Sequence, residues 1–391
     1  MKKSFDATIR FLALTVLAAA SVAALQAQVS RWDQAYGEAL ESRRGNRIEQ
    51  ALERCKVALE IASRDANARQ IASSSQLLGE LHATAGQTAQ AESYLDQAVK
   101  VWAQTQQKNP LQWGSAWTSL GSVQLGSGKL IASEKSFNRA IEILGGISGP
   151  EHPKLSSALN GLGGLRLRQN RLADAEAAFA RALSIREAAL NENDPAIAAC
   201  LLNLATVYTA QKQYDSAEKT IQRVQQIQSK TLGPKHPALA KTYRSLAQLH
   251  VTRRQDESAR PLLKQAIRIE EQHYGRNHPE LVETLSLLGG LHKRSGEFDE
   301  AEAYYQRAIR IAEEHFGENN ARTGTCYHNL GVLFVDQGLL ATAEKLFKKA
   351  IATTASPEAT TRKIYVEHLA ALYRSSGRSA EAEKLLSPPT P

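Results

Sequence analysis

Apolar residues recur at intervals of three and four along most of the chain, and short polar turns interrupt them regularly. Near the middle, Leu159-Asn160-Gly161-Leu162-Gly163 leads to a turn at Gln169-Asn170, and Ala175, Phe179, Ala182 and Ile185 follow it. Both stretches carry the period of a helix with one buried face. The turn position holds Gly86, Gly128, Asn170, Gly296, Gly338 and Gly377, residues that tolerate the left-handed conformation at a helix C-cap. His152-Pro153, Asp194-Pro195, His236-Pro237 and His278-Pro279 suit the opposite end, a polar N-cap followed by proline as the first helical residue. The pattern predicts helix–turn–helix units.

These units repeat. The four X-Pro pairs are spaced by 42 residues, and the phase continues to Asn320-Ala321, where the proline is lost. Ala91, Ser133, Ala175, Ala217, Ala259, Ala301 and Ala343 give the same period independently, and Ala382 closes the series three residues early. A small residue at a fixed helical phase lets two backbones approach closely. Gly or Ala at 79, 121, 163, 205, 247, 289 and 331 does the same on the first helix of each unit, with a leucine before each to fill the space between. The expected fold is all-α, eight units over 67–386 as sixteen helices in antiparallel pairs. A degenerate further unit is expected within 28–66, where Ala51, Cys55 and Ala58 carry the pattern. Gly145-Gly146-Ile147-Ser148-Gly149 falls where other units continue the second helix, which predicts a hinge at 145–149, and Pro261 predicts a kink inside another second helix.

The repeated positions resemble the tetratricopeptide repeat. One unit places Leu201, Leu204, Ala205, Tyr208, Ala217, Ile221 and Val224 in that pattern, and another Tyr327, Leu330, Gly331, Phe334, Ala343, Phe347 and Ala350. The 42-residue period, with Leu232-Gly233-Pro234-Lys235-His236-Pro237 and Tyr274-Gly275-Arg276-Asn277-His278-Pro279, is similar to the kinesin-light-chain subtype. The resemblance implies an α-solenoid, a right-handed superhelix whose first helices line a concave groove that binds an extended peptide or protein segment. The groove positions so implied are Asn160 and Arg168, Leu202 and Asn203, Lys241 and Arg244, Leu287, Lys293 and Arg294, and His328 and Asn329. Asn160, Asn203 and Asn329 match the Leu-Asn-Asn-Leu segment of the subtype, whose amides clamp peptide backbone. Five basic residues (Arg168, Lys241, Arg244, Lys293 and Arg294) stand on these positions beside one acidic residue, Glu283, so an acidic partner is expected.

Composition fits a folding, helical chain: 42% of the 391 residues are apolar, 23% charged and only 6% aromatic. Lys2, Lys3 and Arg10 precede an apolar run from Phe11 to Leu25 and then small residues, which reads as a secretory signal peptide over 1–27, cleaved after Ala24 or Ala27. Export to the periplasm or the extracellular space is the expectation. Removing 1–27 takes three basic residues and one acidic residue, so the net charge falls from +8 to +6, too mild to imply nucleic acid. No other stretch is apolar and long enough to span a membrane. The last residues, 387–391, read as a disordered tail.

Candidate chemistry is sparse. His152, His236 and His278 share the N-cap phase, His250 and His292 an aromatic slot, and His273 and His315 the end of a second helix, so the histidines follow the repeat and no metal ligand set emerges. Cys200 and Cys326 lie three whole repeats apart, in one small-residue slot, and units that touch only their neighbours cannot bridge them. Buried thiols are expected there and at Cys55. No phosphate loop, nucleophile elbow or paired carboxylates appear, so neither a catalytic residue nor a cofactor is assigned. Two other functional classes compete with the binding scaffold: a structural subunit of an envelope assembly that uses convex or terminal surfaces, and an enzyme.

Overall fold

A computed structural model describes residues 30–105, 109–148, 152–354 and 360–387. The expected leader and residues 388–391 of the expected tail lie outside the described residues. Among those described there are eighteen helices and no strand, an all-α solenoid of helix pairs. The chain forms two compact units, Met1–Asn191 and Glu192–Pro391.

The first unit holds four pairs: α1 (Arg31–Arg44) with α2 (Ile48–Arg64), α3 (Ala68–Thr84) with α4 (Thr88–Gln104), α5 (Pro110–Gly126) with α6 (Leu130–Ser148), and α7 (Pro153–Arg168) with α8 (Leu172–Ala189). The second holds five: α9 (Pro195–Ala210) with α10 (Tyr214–Leu232), α11 (Pro237–Thr252) with α12 (Asp256–Tyr274), α13 (Leu281–Arg294) with α14 (Phe298–Phe316), α15 (Ala321–Asp336) with α16 (Leu340–Ala352), and α17 (Thr360–Ser375) with α18 (Ser379–Leu386). Within each unit a pair packs tightly on itself and its second helix packs on the first helix of the next pair.

The two series of small residues mark the contact inside each pair. Ala91, Ala175, Ala217, Ala259, Ala301 and Ala343 are fully buried. Ser133 takes the same place and satisfies its hydroxyl by donating to the Gly121 carbonyl at 2.8 Å. On the facing helix, a Cβ at Gly163 would lie 2.6 Å from the Phe179 ring, and one at Gly331 2.7 Å from Phe347. The absence of a side chain therefore makes room for an aromatic ring, which is why glycine and a large residue face each other across the pair.

Turns and caps follow the sequence reading with informative exceptions. Asn170 and the expected glycines take positive φ, but so do Lys212 (61°), Arg254 (58°) and Ala66 (51°), where a side chain opposes that conformation. His152, Asp194 and His236 each cap a helix by accepting from the backbone N–H two residues on, at 3.1, 2.7 and 3.2 Å. His278 accepts from Glu280 N–H at 3.3 Å in the same way, yet α13 starts at Leu281, two residues beyond the expected proline. The glycines at 145 and 146 do not end their helix: α6 runs through both to Ser148, and Gly149 lies outside the described residues. Pro261 removes one backbone donor near the start of α12, and the helix continues on both sides of it.

Ion pairs tie several second helices to the pair that follows. Glu92 meets Lys129 at 2.7 Å, Glu134 meets Arg166 at 2.7 Å, Glu218 meets Arg253 at 2.9 Å and Glu344 meets Arg378 at 2.6 Å. Between α12 and the turn after α13 the polarity is reversed: Arg260 pairs with Glu297 at 3.0 Å.

Candidate functional site

In the second unit the first helices α9, α11, α13 and α15 border two adjoining hollows. One, of about 620 Å³, lies over Leu202, Asn203 and Thr206 of α9 and Lys241, Ser245 and Leu249 of α11. The other, of about 650 Å³, lies over Val251, Leu287 and Gly290, with Tyr305 and Phe316 contributed by α14 and Arg322, Cys326 and Asn329 by α15. Gln248, Glu283 and Leu287 border both, so the hollows join into one groove. Small residues on the groove-facing phase leave the space: Ser245, Ser286 and Gly290 stand where long side chains would fill it. The floor is aliphatic and aromatic, and the rim carries amides, hydroxyls and charges, the usual make-up of a binding cleft.

The positive charge expected along this groove is already paired. Arg244 points inward: its side chain is only 13% exposed and contacts the carboxylate of Glu270, 2% exposed, at 3.1 Å. It also donates to Thr284 Oγ1 at 3.2 Å and meets Glu283 at 3.3 Å. Lys241 lies 3.8 Å from Glu280, Lys293 contacts Asp336 at 2.8 Å, and Arg294 holds Asp256 through two bonds of 2.8 and 2.7 Å. The five bases do not stand beside one acid alone, because carboxylates outside the groove-facing positions meet them. Glu270 and Asp256 come from α12, and Glu280 and Asp336 from helix ends. Arg322, over the Phe316 ring at 4.9 Å, is the groove cation for which no carboxylate contact is found among the described residues.

Burial tunes the groups beneath the groove. Desolvation pushes the Glu270 carboxyl up to about 7, opposed by the hydroxyl of Thr284 and the guanidinium of Arg244, and its Oε2 has no hydrogen-bond partner. Burial also pushes the Cys326 thiol up to about 11 and that of Cys55 to about 12, so neither is a nucleophile at neutral pH. All three cysteines are buried.

Seven of the expected positions therefore converge: Leu202, Asn203, Lys241, Arg244, Leu287, Arg294 and Asn329 border this groove. Lys293 and His328 do not. His328 Nε2 lies 2.7 Å from His368 Nδ1, and its ring stacks on Tyr365. Burial and the neighbouring His368 push its pKa down to about 4. Asn160 and Arg168 belong to the first unit, where Arg168 donates to the Leu125 carbonyl. Tyr305 and Phe316 lie on a second helix, outside the groove positions expected from the sequence; the Gly289-Gly290 pair facing Tyr305 is the sequence signal for them. Glu270 lies outside those positions too, although a glutamate in the slot of Gln228 and Ala312 signals a buried charge. Among the described residues no group of three or more His, Cys, Asp or Glu is placed to hold a metal ion, and no helix is long and apolar enough to cross a membrane.

Comparison with known proteins bears on this arrangement. The family model described as tetratricopeptide repeat matches residues 114–188, 197–272, 259–314 and 280–355. The structure is similar to the apo form of RapI, at 14% identity over 91% of this chain and 96% of that one, with a TM-score of 0.66. It is also similar to BtubC (BKLC) from P. vanneervenii, at 21% identity over 59% and 92% of the two chains, with a TM-score of 0.53. A Podospora anserina protein of nearly identical kinesin-light-chain-like TPR repeats matches at 21% identity over 54% and 100%, with a TM-score of 0.46. A search of curated protein sequences finds no match.

Proposed function

The chain belongs to the tetratricopeptide repeat family, and from that premise we infer a non-catalytic scaffold that holds an extended polypeptide segment in the groove of its second unit. Members of the family mediate protein–protein interactions. The observation that carries the reading is the continuity of the two hollows across Gln248, Glu283 and Leu287. An extended chain laid along it offers backbone groups to the amides of Asn203, Gln248 and Asn329 and side chains to the apolar floor. Selection for an acidic segment is not retained, because nearly every cation expected to attract it already has a carboxylate. The charged start and short apolar run before residue 28 support export, and N-terminal sequencing of protein recovered outside the cytoplasm tests it: a chain beginning at Met1 contradicts cleavage.

Filling the groove is the direct test of binding. Ser245 is exposed on α11 and borders one hollow. Ser245→Trp should leave the melting temperature within about 2 °C of wild type, since it touches no core contact. It should abolish enrichment of clones from a phage-displayed pool of random 12-residue peptides, whereas Gln222→Trp, on exposed surface of α10, should not. Equal enrichment by both variants moves binding away from the groove.

A further inference from the structure

We propose that this groove selects a segment with two apolar side chains three to five residues apart and a lysine or arginine between them. The proposal rests on the groove being the binding surface, and it reverses the charge that the sequence alone suggests for the partner. The two hollows are the seats for the apolar side chains. One is floored by Leu202 and Leu249, and the other by Val251, Tyr305 and Phe316. Packed helices lie ~8–10 Å apart, so hollows set one repeat apart along the first helices are separated by about 10–15 Å. An extended chain advances ~3.3 Å per residue, which converts that separation to three to five residues.

The charge between the seats comes from α13 and the turn before it. Glu283 borders both hollows and Glu280 borders one, and the Glu283 side chain is 69% exposed. The base that meets Glu283, Arg244, is turned inward and largely committed to buried Glu270. What a ligand meets at the junction is therefore an accessible carboxylate over a sequestered guanidinium. Lys241 stands to one side at 3.8 Å from Glu280, and Arg322 borders the second hollow from α15, over Phe316. Along the groove the charge runs from Lys241 on α11 through the carboxylates at the start of α13 to Arg294 at the end of that helix, paired with Asp256, and Arg322 on α15. A cationic side chain at the centre of the bound segment complements those carboxylates, and a carboxylate there would face Glu283 with no free base opposite.

A positional-scanning library of immobilised decapeptides, probed with the full chain, tests this. Wild type should select Leu, Ile, Val or Phe at two positions three to five apart, and Lys or Arg between them about three- to fivefold over Glu, the range an exposed ion pair supports. Glu283→Gln should bring that central preference below about twofold while both apolar preferences persist. Leu202→Ala should weaken one apolar preference and leave the other. A central preference for Asp or Glu, or a basic preference unchanged in Glu283→Gln, overturns the proposal while leaving the groove as a binding surface. Peptides that bind without any apolar pair overturn it as well. Failure of every peptide to bind, with the fold intact, overturns both this inference and the peptide-binding reading beneath it.

Discussion

Glu270 is a carboxylate held where the repeat otherwise places Gln228 or Ala312, and much of the site's electrostatics follows from it. It turns the Arg244 guanidinium inward at the edge of the groove. Arg244→Glu would set a third carboxylate against Glu270 and Glu283 and leave the buried one without its base, so we expect a loss of about 3–5 kcal/mol in urea unfolding. That variant reports on folding, and an unchanged stability would mean that Arg244 faces solvent. Glu270 also makes stability pH-dependent. Its carboxyl sits at about 7 in the folded chain and near 4.5 when unfolded, so the folded state binds the proton more tightly between those values. Stability is lost as pH rises through that window. Glu270→Gln lacks this loss: its advantage over wild type should be absent below pH 4.5 and reach ~1–3 kcal/mol above pH 7, measured by urea unfolding at pH 4 and pH 8. A difference that shrinks with rising pH contradicts the burial of that charge. The repeat slot makes the burial of Glu270 legible, but its pairing with Arg244 is not, because a partner on a neighbouring helix is fixed by packing and not by the spacing within one helix.

The helix pair was legible because its signals are local. Leucine spacing, the Gly or Ala slot and the N-cap before proline each act within one unit, and they located α7, α9 and α11 at their first residue. Where local signals compete, tertiary packing decides. Gly145 and Gly146 weaken α6 by propensity, yet Leu144 is fully buried in the same turn and the helix continues. Ala66 takes φ 51° because its turn must close the α2–α3 connection. Ala66→Gly relieves that strain and should raise stability by about 0.5–1 kcal/mol; a loss would show the left-handed geometry to be misassigned. Between pairs, the reversed Arg260–Glu297 contact offers a sharper test. Arg260→Glu opposes two carboxylates and should lower the melting temperature by a few degrees, and adding Glu297→Arg should restore most of it. Additive losses in the double variant would mean that the pair contributes nothing to joining α12 and α13.

At the scale of the whole molecule, periodicity reveals that neighbours stack but leaves open which surface is used. The repeat pattern treats all nine pairs as equivalent, whereas the two adjoining hollows fall in the second unit, where Ser245, Ser286 and Gly290 coincide with Tyr305 and Phe316 of α14. Function in such a fold resides in these departures from the repeat and not in the repeat itself. Amide hydrogen exchange of the full chain, with and without a peptide enriched from the random pool, measures the central claim most directly. Binding in the groove predicts slowed exchange centred on α9, α11, α13, α14 and α15, with α1 to α8 unchanged. Protection centred on the first unit, or on α17 and α18 alone, would contradict it and favour assembly through terminal surfaces.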